Sequence, residues 1–497
     1  MQPTRTKNAV FHARRDTLLG RLVLVTIFSL FPVLGMTGCV LKTIDTMDNK
    51  PLEQGIPQKQ TRASESVTTA DLADNVFIGI ALSGGGSRAA NFSAAVMLEL
   101  EKLGILNKTT AVSSVSGSSL PAAYYGLYRG DKNRWNEDEV RKQLKKDFEL
   151  RWLGRWFLPQ NIALYWSTNY NRSDIMKEVL DSNLFDEKTF KDMGEGRPRI
   201  LINATTLSEG RRFVFSEEQF KALNSRIDLF PIANAVMASS AFPGAFHDMT
   251  LKDFTVSDGN YQHVLDGGPS DNLGTTTLLD MVNELYRAKE KPKGCFLFVV
   301  DAYPYPKDPA YIHEADTRSW YDFLFDTNIA ASSDALLTAR RLDLLAQLNV
   351  DASEMNIDPY QPNAGNDEIW PGLYDDLRVE CAVWHLSLQR LLSGNFGGMA
   401  ESSKPDKEQS KLRENIQNVA SIVNTVPTRY KLKGKDPASQ DSLDADVLQD
   451  YLFKAANYLI YLDKGSDGKP ILETVCSWFN QKGLNVCAST QYAQKAQ

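Results

Sequence analysis

The chain has 497 residues, which is too long for one ordinary domain and predicts about two or three domains or one large α/β core with insertions. A composition of 42% hydrophobic and 24% charged residues excludes global disorder, and five cysteines exclude a disulfide scaffold or a multi-cysteine metal array. Without residues 1–38, which hold five basic groups and one acid, 50 Lys and Arg face 61 Asp and Glu, a net −11 that argues against nucleic-acid binding.

Residues 1–38 have the three parts of an export signal. A basic stretch precedes the apolar run from Leu22 to Leu34, which is shorter than the ~20 residues that span a bilayer. The run ends in Met36-Thr37-Gly38-Cys39, which resembles the bacterial lipobox, with Met36 in place of the usual leucine. This resemblance implies that Cys39 is lipidated and becomes the first residue of the mature protein. An uncleaved membrane anchor is the alternative.

The lipobox resemblance also predicts a location in the bacterial cell envelope. Val40, rather than aspartate, follows the cysteine, and by resemblance to Gram-negative lipoproteins this favours the outer membrane. Residues 39–75 are polar and rich in turn-forming residues, which predicts a flexible tether between the lipid anchor and the body. The membrane is thus an expected partner through the N-terminal lipid.

The first element of the body is a buried strand followed by glycines. Val76–Leu82 is almost wholly apolar, as in a strand of a parallel sheet, and leads into Ser83-Gly84-Gly85-Gly86-Ser87-Arg88 and a helix. A P-loop would need a Lys-Ser/Thr pair, and a dinucleotide site would need G-x-G-x-x-G spacing; both are absent. An oxyanion hole remains, which predicts a serine nucleophile downstream, and so does a purely structural turn.

A second strand, Thr110–Val115, runs into a serine-rich turn, Ser116-Gly117-Ser118-Ser119-Leu120-Pro121. A nucleophile elbow has glycine two positions before its serine, and Ser119 meets this condition whereas Ser116 and Ser118 do not. Pro121 replaces the second glycine of the G-x-S-x-G pattern. The pattern therefore favours Ser119 as the nucleophile, with a simple serine-rich turn as the alternative.

An acid partner is predicted at Asp266-Gly267-Gly268, because a tight turn can present a carboxylate across a cleft. Upstream of it, Ala238-Ser239-Ser240-Ala241-Phe242-Pro243 indicates a helix end and a proline-fixed turn. A triad would also need histidine, and His247 and His263 are the nearest candidates in the sequence. A serine–aspartate dyad needs neither.

Together, the glycine loop, the serine turn, the A-S-x-A-x-P segment and the Asp-Gly-Gly turn resemble the patatin-like phospholipase family over residues 76–305. The resemblance implies an α/β fold, a three-layer α/β/α sandwich, with no metal or cofactor. It implies Ser119 as nucleophile and Asp266 as general base. The oxyanion hole would comprise Gly84, Gly85 and Gly86, with Arg88 bracing that loop or lying near the lipid phosphate.

The remaining segments are less specific. Residues 131–180 hold four of the eight tryptophans and predict a lid or acyl-chain groove, or aromatic packing against the sheet. Residues 306–497 predict a mostly helical extension that packs on the core. A disulfide between Cys476 and Cys487 is expected, because export places the body in an oxidising compartment and Lys482-Gly483 can turn the chain between them.

Two functional classes remain open. The first is a membrane-anchored lipid acyl hydrolase that cleaves phospholipid or lysophospholipid through an acyl-serine intermediate, with a general carboxylesterase or thioesterase as its nearest variant. The second is a non-catalytic lipid-binding or envelope-scaffold lipoprotein with the same fold.

Lipidation at Cys39 is directly testable. Cys39→Ser should leave an unprocessed precursor that takes up no lipid label, because the thiol is the acceptor of the lipid. The measurement is metabolic labelling with a fatty-acid analogue, followed by N-terminal mass spectrometry. Mature wild-type protein whose N-terminus is unmodified and lies upstream of Cys39 would contradict the prediction.

Overall fold

The computed structural model describes residues 47–53, 56–257, 259–289, 291–303, 328–348, 350, 381–391, 407–465 and 469–487. The strands within these residues are β1 (Lys50–Pro51), β2 (Val76–Leu82), β3 (Ala111–Val115), β4 (Arg199–Thr206), β5 (Arg212–Phe215), β6 (Ser225–Arg226), β7 (Met249–Asp253), β8 (Asn260–Asp266), β9 (Gly294–Asp301) and β10 (Ala382–Ser387). The helices are α1 (Gly86–Lys102), α2 (Ser119–Tyr128), α3 (Glu137–Leu144), α4 (Phe148–Trp156), α5 (Pro159–Ser167), α6 (Arg172–Leu180), α7 (Glu217–Ala222), α8 (Ile232–Ser239), α9 (Gly268–Asp271), α10 (Thr275–Arg287), α11 (Asn328–Gln347), α12 (Lys407–Val423), α13 (Ala445–Asn457) and α14 (Ile471–Gln481).

One mixed sheet organises the body. Its strand order is β10-β9-β2-β3-β4-β8-β7, with β5 paired to β4. The first five strands run parallel, whereas β8, β7 and β5 pair antiparallel with their neighbours. Every residue of β2 and of β3 is buried, as expected of parallel strands that are covered on both faces. The carboxyl ends of β2 and β3 lie side by side at one edge, where the two turns predicted as functional begin.

Helices cover both faces of this sheet. Along β2 the side chains of Ile78 and Ile80 join one apolar cluster, and those of Phe77 and Ala81 join another, because successive strand residues point to opposite faces. The first cluster includes residues of α1, α2, α8 and α13, and the second includes residues of α10 and α11. The three-layer α/β/α sandwich predicted from the sequence is confirmed.

The segment before β2 differs from the predicted tether. Strand β1 pairs antiparallel with β6, and Ala63 is fully buried in the main core. Arg62 is only 6% exposed, and its guanidinium donates to the carbonyl oxygens of Met193 and Arg197 at 2.7 and 2.6 Å. A polar side chain in this segment therefore donates to buried backbone acceptors of the body. A polar sequence is compatible both with such buried hydrogen bonds and with exposure to solvent, so it does not distinguish a packed segment from a tether.

The C-terminal extension also differs from the expected helical cover, because it contributes a strand. In β10, Ala382 pairs with Phe296 in parallel register, which makes β10 an edge strand of the main sheet. A disulfide between Cys295 and Cys381 joins the starts of β9 and β10, with an S–S distance of 2.02 Å. The sequence pattern did not indicate this pair.

A second disulfide joins Cys476 to Cys487, the pair expected from the sequence, with an S–S distance of 2.08 Å. The fifth cysteine, Cys39, lies outside the described residues together with the whole export signal. Among the helices of the described residues, none combines the length and the hydropathy that a membrane crossing requires.

Candidate active site

The turn after β3 presents Ser116 in a conformation that few residues other than glycine adopt. Ser116 directly follows the last residue of β3 and has φ of 52°. A 3₁₀ turn, Ser116–Ser118, then leads into α2. A serine on a sharp strand-to-helix turn is the geometry of a nucleophile elbow. By geometry, the candidate nucleophile is therefore Ser116.

The structure does not bring Ser119, the serine favoured by the sequence, to the acid. Ser119 is fully buried in the first turn of α2, with its Oγ 3.0 Å from Ser239 Oγ. Ser118 is also buried and donates its hydroxyl to the carbonyl oxygen of Ser83 at 2.6 Å. In the G-x-S-x-G pattern Gly117 precedes the predicted nucleophile, whereas in the structure it follows the candidate nucleophile, Ser116.

The end of β3 was the signal that could have identified Ser116. An elbow serine follows the last strand residue at once, and the predicted strand ends at Val115, so Ser116 meets this condition and Ser119 does not. Small side chains suffice at the two motif glycine positions, which are occupied here by Ser114 and Ser118, both fully buried.

The structure places Asp266 against Ser116. The Ser116 hydroxyl donates to Asp266 Oδ2 at 2.9 Å, and the Gly268 N–H donates to Asp266 Oδ1 at 2.8 Å. Asp266 is 4% exposed, and this burial raises the pKa of its carboxyl from 3.8 to about 6, against the opposing effect of the two hydrogen bonds. Asp266 is therefore ionised at neutral pH and binds a proton more tightly than an exposed aspartate does.

The glycine loop between β2 and α1 touches the serine turn through its backbone. Gly86 has φ of 59°, and a Cβ built on Gly117 would lie 2.0 Å from the Gly86 carbonyl oxygen. No side chain fits at Gly117, so glycine there permits the two turns to meet.

Two of the three predicted oxyanion glycines have N–H groups that are able to donate a hydrogen bond to a ligand. The N–H groups of Gly85 and Gly86 find no hydrogen-bond acceptor among the described residues, and both glycines line the same cavity as Ser116. The Gly84 N–H donates to the carbonyl oxygen of Asn272 at 2.9 Å. Gly84 therefore differs from its predicted role, because its donor is already used.

Arg88 braces this loop, one of the two roles considered for it. Its Nε donates to the carbonyl oxygen of Ala302 at 2.8 Å, and its other nitrogens donate to the Val426 carbonyl and to Thr428 Oγ1. Only 4% of Arg88 is exposed. The guanidinium thus ties the glycine loop to β9 and to a distant segment of the chain.

The A-S-x-A-x-P segment fixes the serine turn and the acid turn together. Ser239 Oγ accepts the N–H of Ser116 at 2.9 Å and donates to the Asn203 carbonyl at 2.6 Å. The Ser239 carbonyl accepts the N–H of Gly267 at 3.1 Å. One serine therefore holds the backbone beside both members of the candidate dyad.

A cavity of about 1090 Å³ opens onto the dyad. Its lining includes Ser116, Asp266 and the glycine loop. Apolar and aromatic side chains line much of the remainder: Leu150, Trp152, Leu153, Met176, Phe242, Phe246, Leu337 and Val426. A large cavity whose lining combines many apolar side chains with the candidate dyad fits an extended apolar ligand with one reactive ester.

None of the histidines in the described residues lines this cavity. His263 Nδ1 lies 2.7 Å from Asp248 Oδ2, and the buried His385 Nε2 lies 2.9 Å from Asp301 Oδ2. His313 lies outside the described residues. Within the described chain, no group of three or more His, Cys, Asp or Glu side chains is placed to hold a metal ion.

Residues 80–279 match the model of the patatin-like phospholipase family. This span contains the glycine loop, the serine turn and the Asp-Gly-Gly turn. The chain therefore contains a domain that matches the patatin-like phospholipase family.

Solved structures provide further similarities. Human GIVD cytosolic phospholipase A2 is 12% identical, with a TM-score of 0.43, over 82% of this chain and 63% of that chain. The same human enzyme in complex with methyl gamma-linolenyl fluorophosphonate is 14% identical, with a TM-score of 0.41, over 83% and 60%. VipD from Legionella pneumophila is 15% identical, with a TM-score of 0.22, over 93% and 85%. The chain thus spans less than two thirds of the human chains, and no curated protein matches it.

The raised pKa of Asp266 predicts a stability effect. Because folding raises this pKa, the ionised carboxylate destabilises the fold; the cost is complete above about pH 6 and disappears as the pH falls toward 4. Asp266→Asn removes the charge and should raise the free energy of unfolding at pH 8 by up to about 3 kcal/mol, with the gain vanishing near pH 4. Urea unfolding at several pH values measures it.

Asp301→Asn is the matched control. Asp301 is equally buried but lies beside Arg341 and His385; its pKa is lowered, since the Arg341 guanidinium and the hydrogen bond from His385 outweigh burial. Its removal should destabilise the protein at pH 8. An Asp266→Asn protein that is no more stable than wild type at pH 8 would contradict the first prediction.

Proposed function

We propose that the protein is a serine lipid acyl hydrolase of the phospholipase A or lysophospholipase type, with Ser116 and Asp266 as its catalytic dyad. The hydrogen bond of 2.9 Å from Ser116 to Asp266, in the lining of the large cavity, carries this proposal. The family match supports a lipid substrate. The nucleophile differs from Ser119, which the sequence pattern favoured.

The acylation step follows from this geometry. Ser116 Oγ attacks the ester carbonyl carbon while its proton passes to Asp266 Oδ2. Negative charge develops on the carbonyl oxygen, and the N–H groups of Gly85 and Gly86 stabilise it; one such donor is typically worth about 2.7–4 kcal/mol. Collapse of the intermediate breaks the ester bond, and Asp266 returns the proton to the leaving alkoxide. The products are the free alcohol and an acyl-Ser116 ester.

Deacylation uses the same groups with water in place of serine. Asp266 accepts a proton from a water molecule, which attacks the acyl carbonyl carbon. The Gly85 and Gly86 donors stabilise the second oxyanion, and the proton returns to Ser116 Oγ as fatty acid leaves. A pKa of about 6 suits this role, because the carboxylate is ionised at neutral pH and still accepts a proton.

The dyad predicts the outcome of three substitutions. Ser116→Ala and Asp266→Asn should each lower fatty-acid release by about 10³-fold or more, and the double variant should be little worse than either, because the two residues act as one unit. Ser119→Ala should keep most of the activity, since its hydroxyl contacts Ser239 and not the acid. The measurement is fatty-acid release from phospholipid, lysophospholipid and soluble esters.

A fluorophosphonate probe separates the outcomes. The probe should label wild type and Ser119→Ala but not Ser116→Ala. His263→Gln is a further control, because His263 lies outside the cavity lining. Full activity in Ser116→Ala would contradict the proposed mechanism. A wild type that is neither labelled nor active would favour the alternative of a non-catalytic lipid-binding or envelope-scaffold lipoprotein.

Exposed apolar side chains beside the cavity support delivery of substrate from a lipid surface. Leu150 and Leu153 on α4 line the cavity and are 65% and 46% exposed. Phe157, just after α4, is 67% exposed, and Ile162 is 46% exposed. Such side chains at a lipase mouth can insert into a bilayer, which would cover them and place the cavity opening at the lipid.

The surface is testable in protein produced without residues 1–39, where the lipid anchor does not contribute. Phe157→Ser with Ile162→Ser should lower hydrolysis of phospholipid vesicles by about 10-fold, because each side chain loses part of its transfer free energy. Hydrolysis of a monomeric short-chain ester should fall much less. Val447→Ser, which removes an exposed apolar side chain on α13, is the matched control. Equal losses on both substrates would contradict an interfacial role.

The bacterial envelope location remains part of the proposal. The two disulfides, Cys295–Cys381 and Cys476–Cys487, support an oxidising compartment such as the one that export would provide. The lipobox resemblance at Cys39 supports an anchor in the outer membrane. Labelling of Cys39, described above, tests the anchor.

A further inference from the structure

A segment distant from the catalytic motifs forms one wall of the cavity. Residues 424–431, here named the strap, all line it and lie outside the family match. The Arg429 carbonyl accepts the N–H of Ser87 at 2.6 Å, and a Cβ on Gly86 would lie 2.5 Å from the same oxygen. The strap therefore crosses directly over the glycine loop that carries the proposed oxyanion donors.

Both ends of the strap are held by the patatin-like domain. On one side, Arg88 donates to the Val426 carbonyl and to Thr428 Oγ1. On the other, the Tyr430 hydroxyl donates to the Ser240 carbonyl, and the Lys431 ammonium pairs with a carboxylate at the start of α4. The backbone of Arg429 lies between these anchors, which hold it in place against the glycine loop.

Arg429 differs from the other basic side chains that line the cavity. The Arg88 guanidinium is buried and donates to backbone and hydroxyl oxygens, and Lys431 is paired with Asp147. Arg429 is exposed, and in the part of the chain that the structure describes its guanidinium makes no ion pair or hydrogen bond. It is therefore the cation in this wall whose donors are open to a ligand.

We propose that Arg429 binds the phosphate of the lipid substrate and so makes the enzyme prefer phospholipids to uncharged esters. This inference rests on the proposed function. A planar guanidinium presents paired donors that match two phosphate oxygens, which makes arginine well suited to this contact. In a phospholipid only a few bonds separate the phosphate from the acyl ester. Arg429 is correspondingly close to the proposed oxyanion donors, because its backbone contacts Gly86.

The test compares two soluble substrates with the same acyl esters, of which only one carries a phosphate head group. Short-chain phosphatidylglycerol below its critical micelle concentration carries the phosphate, and the matching short-chain diacylglycerol lacks it. Arg429→Gln should lower the ratio of kcat/KM for phosphatidylglycerol to that for diacylglycerol by about 10- to 100-fold, the range for a charged hydrogen bond. Arg429→Lys, which keeps the charge without the paired donors, should lower the ratio less.

Lys433→Gln is the matched control, because Lys433 is an exposed cation two residues beyond the strap that does not line the cavity. Its ratio should equal that of wild type. Fluorophosphonate labelling of each variant reports whether the Ser116 site is intact. An unchanged ratio in a labelled Arg429→Gln protein would overturn the role of Arg429. A wild type that hydrolyses neither substrate would instead overturn the proposed function.

Discussion

The candidate active site depends on the backbone contact between two strand-to-helix turns. The turns follow β2 and β3, which are adjacent parallel strands, and they meet where Gly117 faces the Gly86 carbonyl without room for a side chain. Since the Ser116 hydroxyl and the free N–H groups of the glycine loop lie in these two turns, their separation is determined by this contact. Any residue larger than glycine at Gly117 would separate the proposed nucleophile from the proposed oxyanion donors.

The acid, Asp266, is supplied by β8, which lies two strands from β3 in the same sheet. In β8, which pairs antiparallel with β4, Asp266 lies opposite Ala204 near the carboxyl end of β4, so its carboxylate reaches Ser116 although the two residues are 150 positions apart. With neither a cation nor a histidine bonded to this carboxylate in the described residues, its charge is offset by hydrogen bonds from Gly268 and Ser116. The raised pKa of Asp266 means that the ionised carboxylate lowers the free energy of unfolding, whereas it makes the proposed base a better proton acceptor. Stability and proposed function are therefore opposed at this residue.

The C-terminal extension is part of the cavity. It adds β10 to the sheet, is linked to β9 by the Cys295–Cys381 disulfide, and sends residues 424–431 across the glycine loop. Arg88 belongs to the glycine-loop motif and yet donates to this distant segment. One wall of the cavity is therefore supplied by residues outside the family match.

Much of this arrangement could be predicted from the sequence because it depends on local patterns. Apolar runs identified β2 and β3, and short motifs identified the glycine loop and Asp266. Three features depend on contacts between distant residues: Ser116 rather than Ser119 faces Asp266, residues 61–64 and 72–73 are buried against the body, and Arg429 lies over Gly86. Serines 116, 118 and 119 are the same side chain in nearly the same local sequence. Their positions relative to the end of β3 differ, but the direction of each hydroxyl is determined by the neighbouring strands and loops of the folded turn.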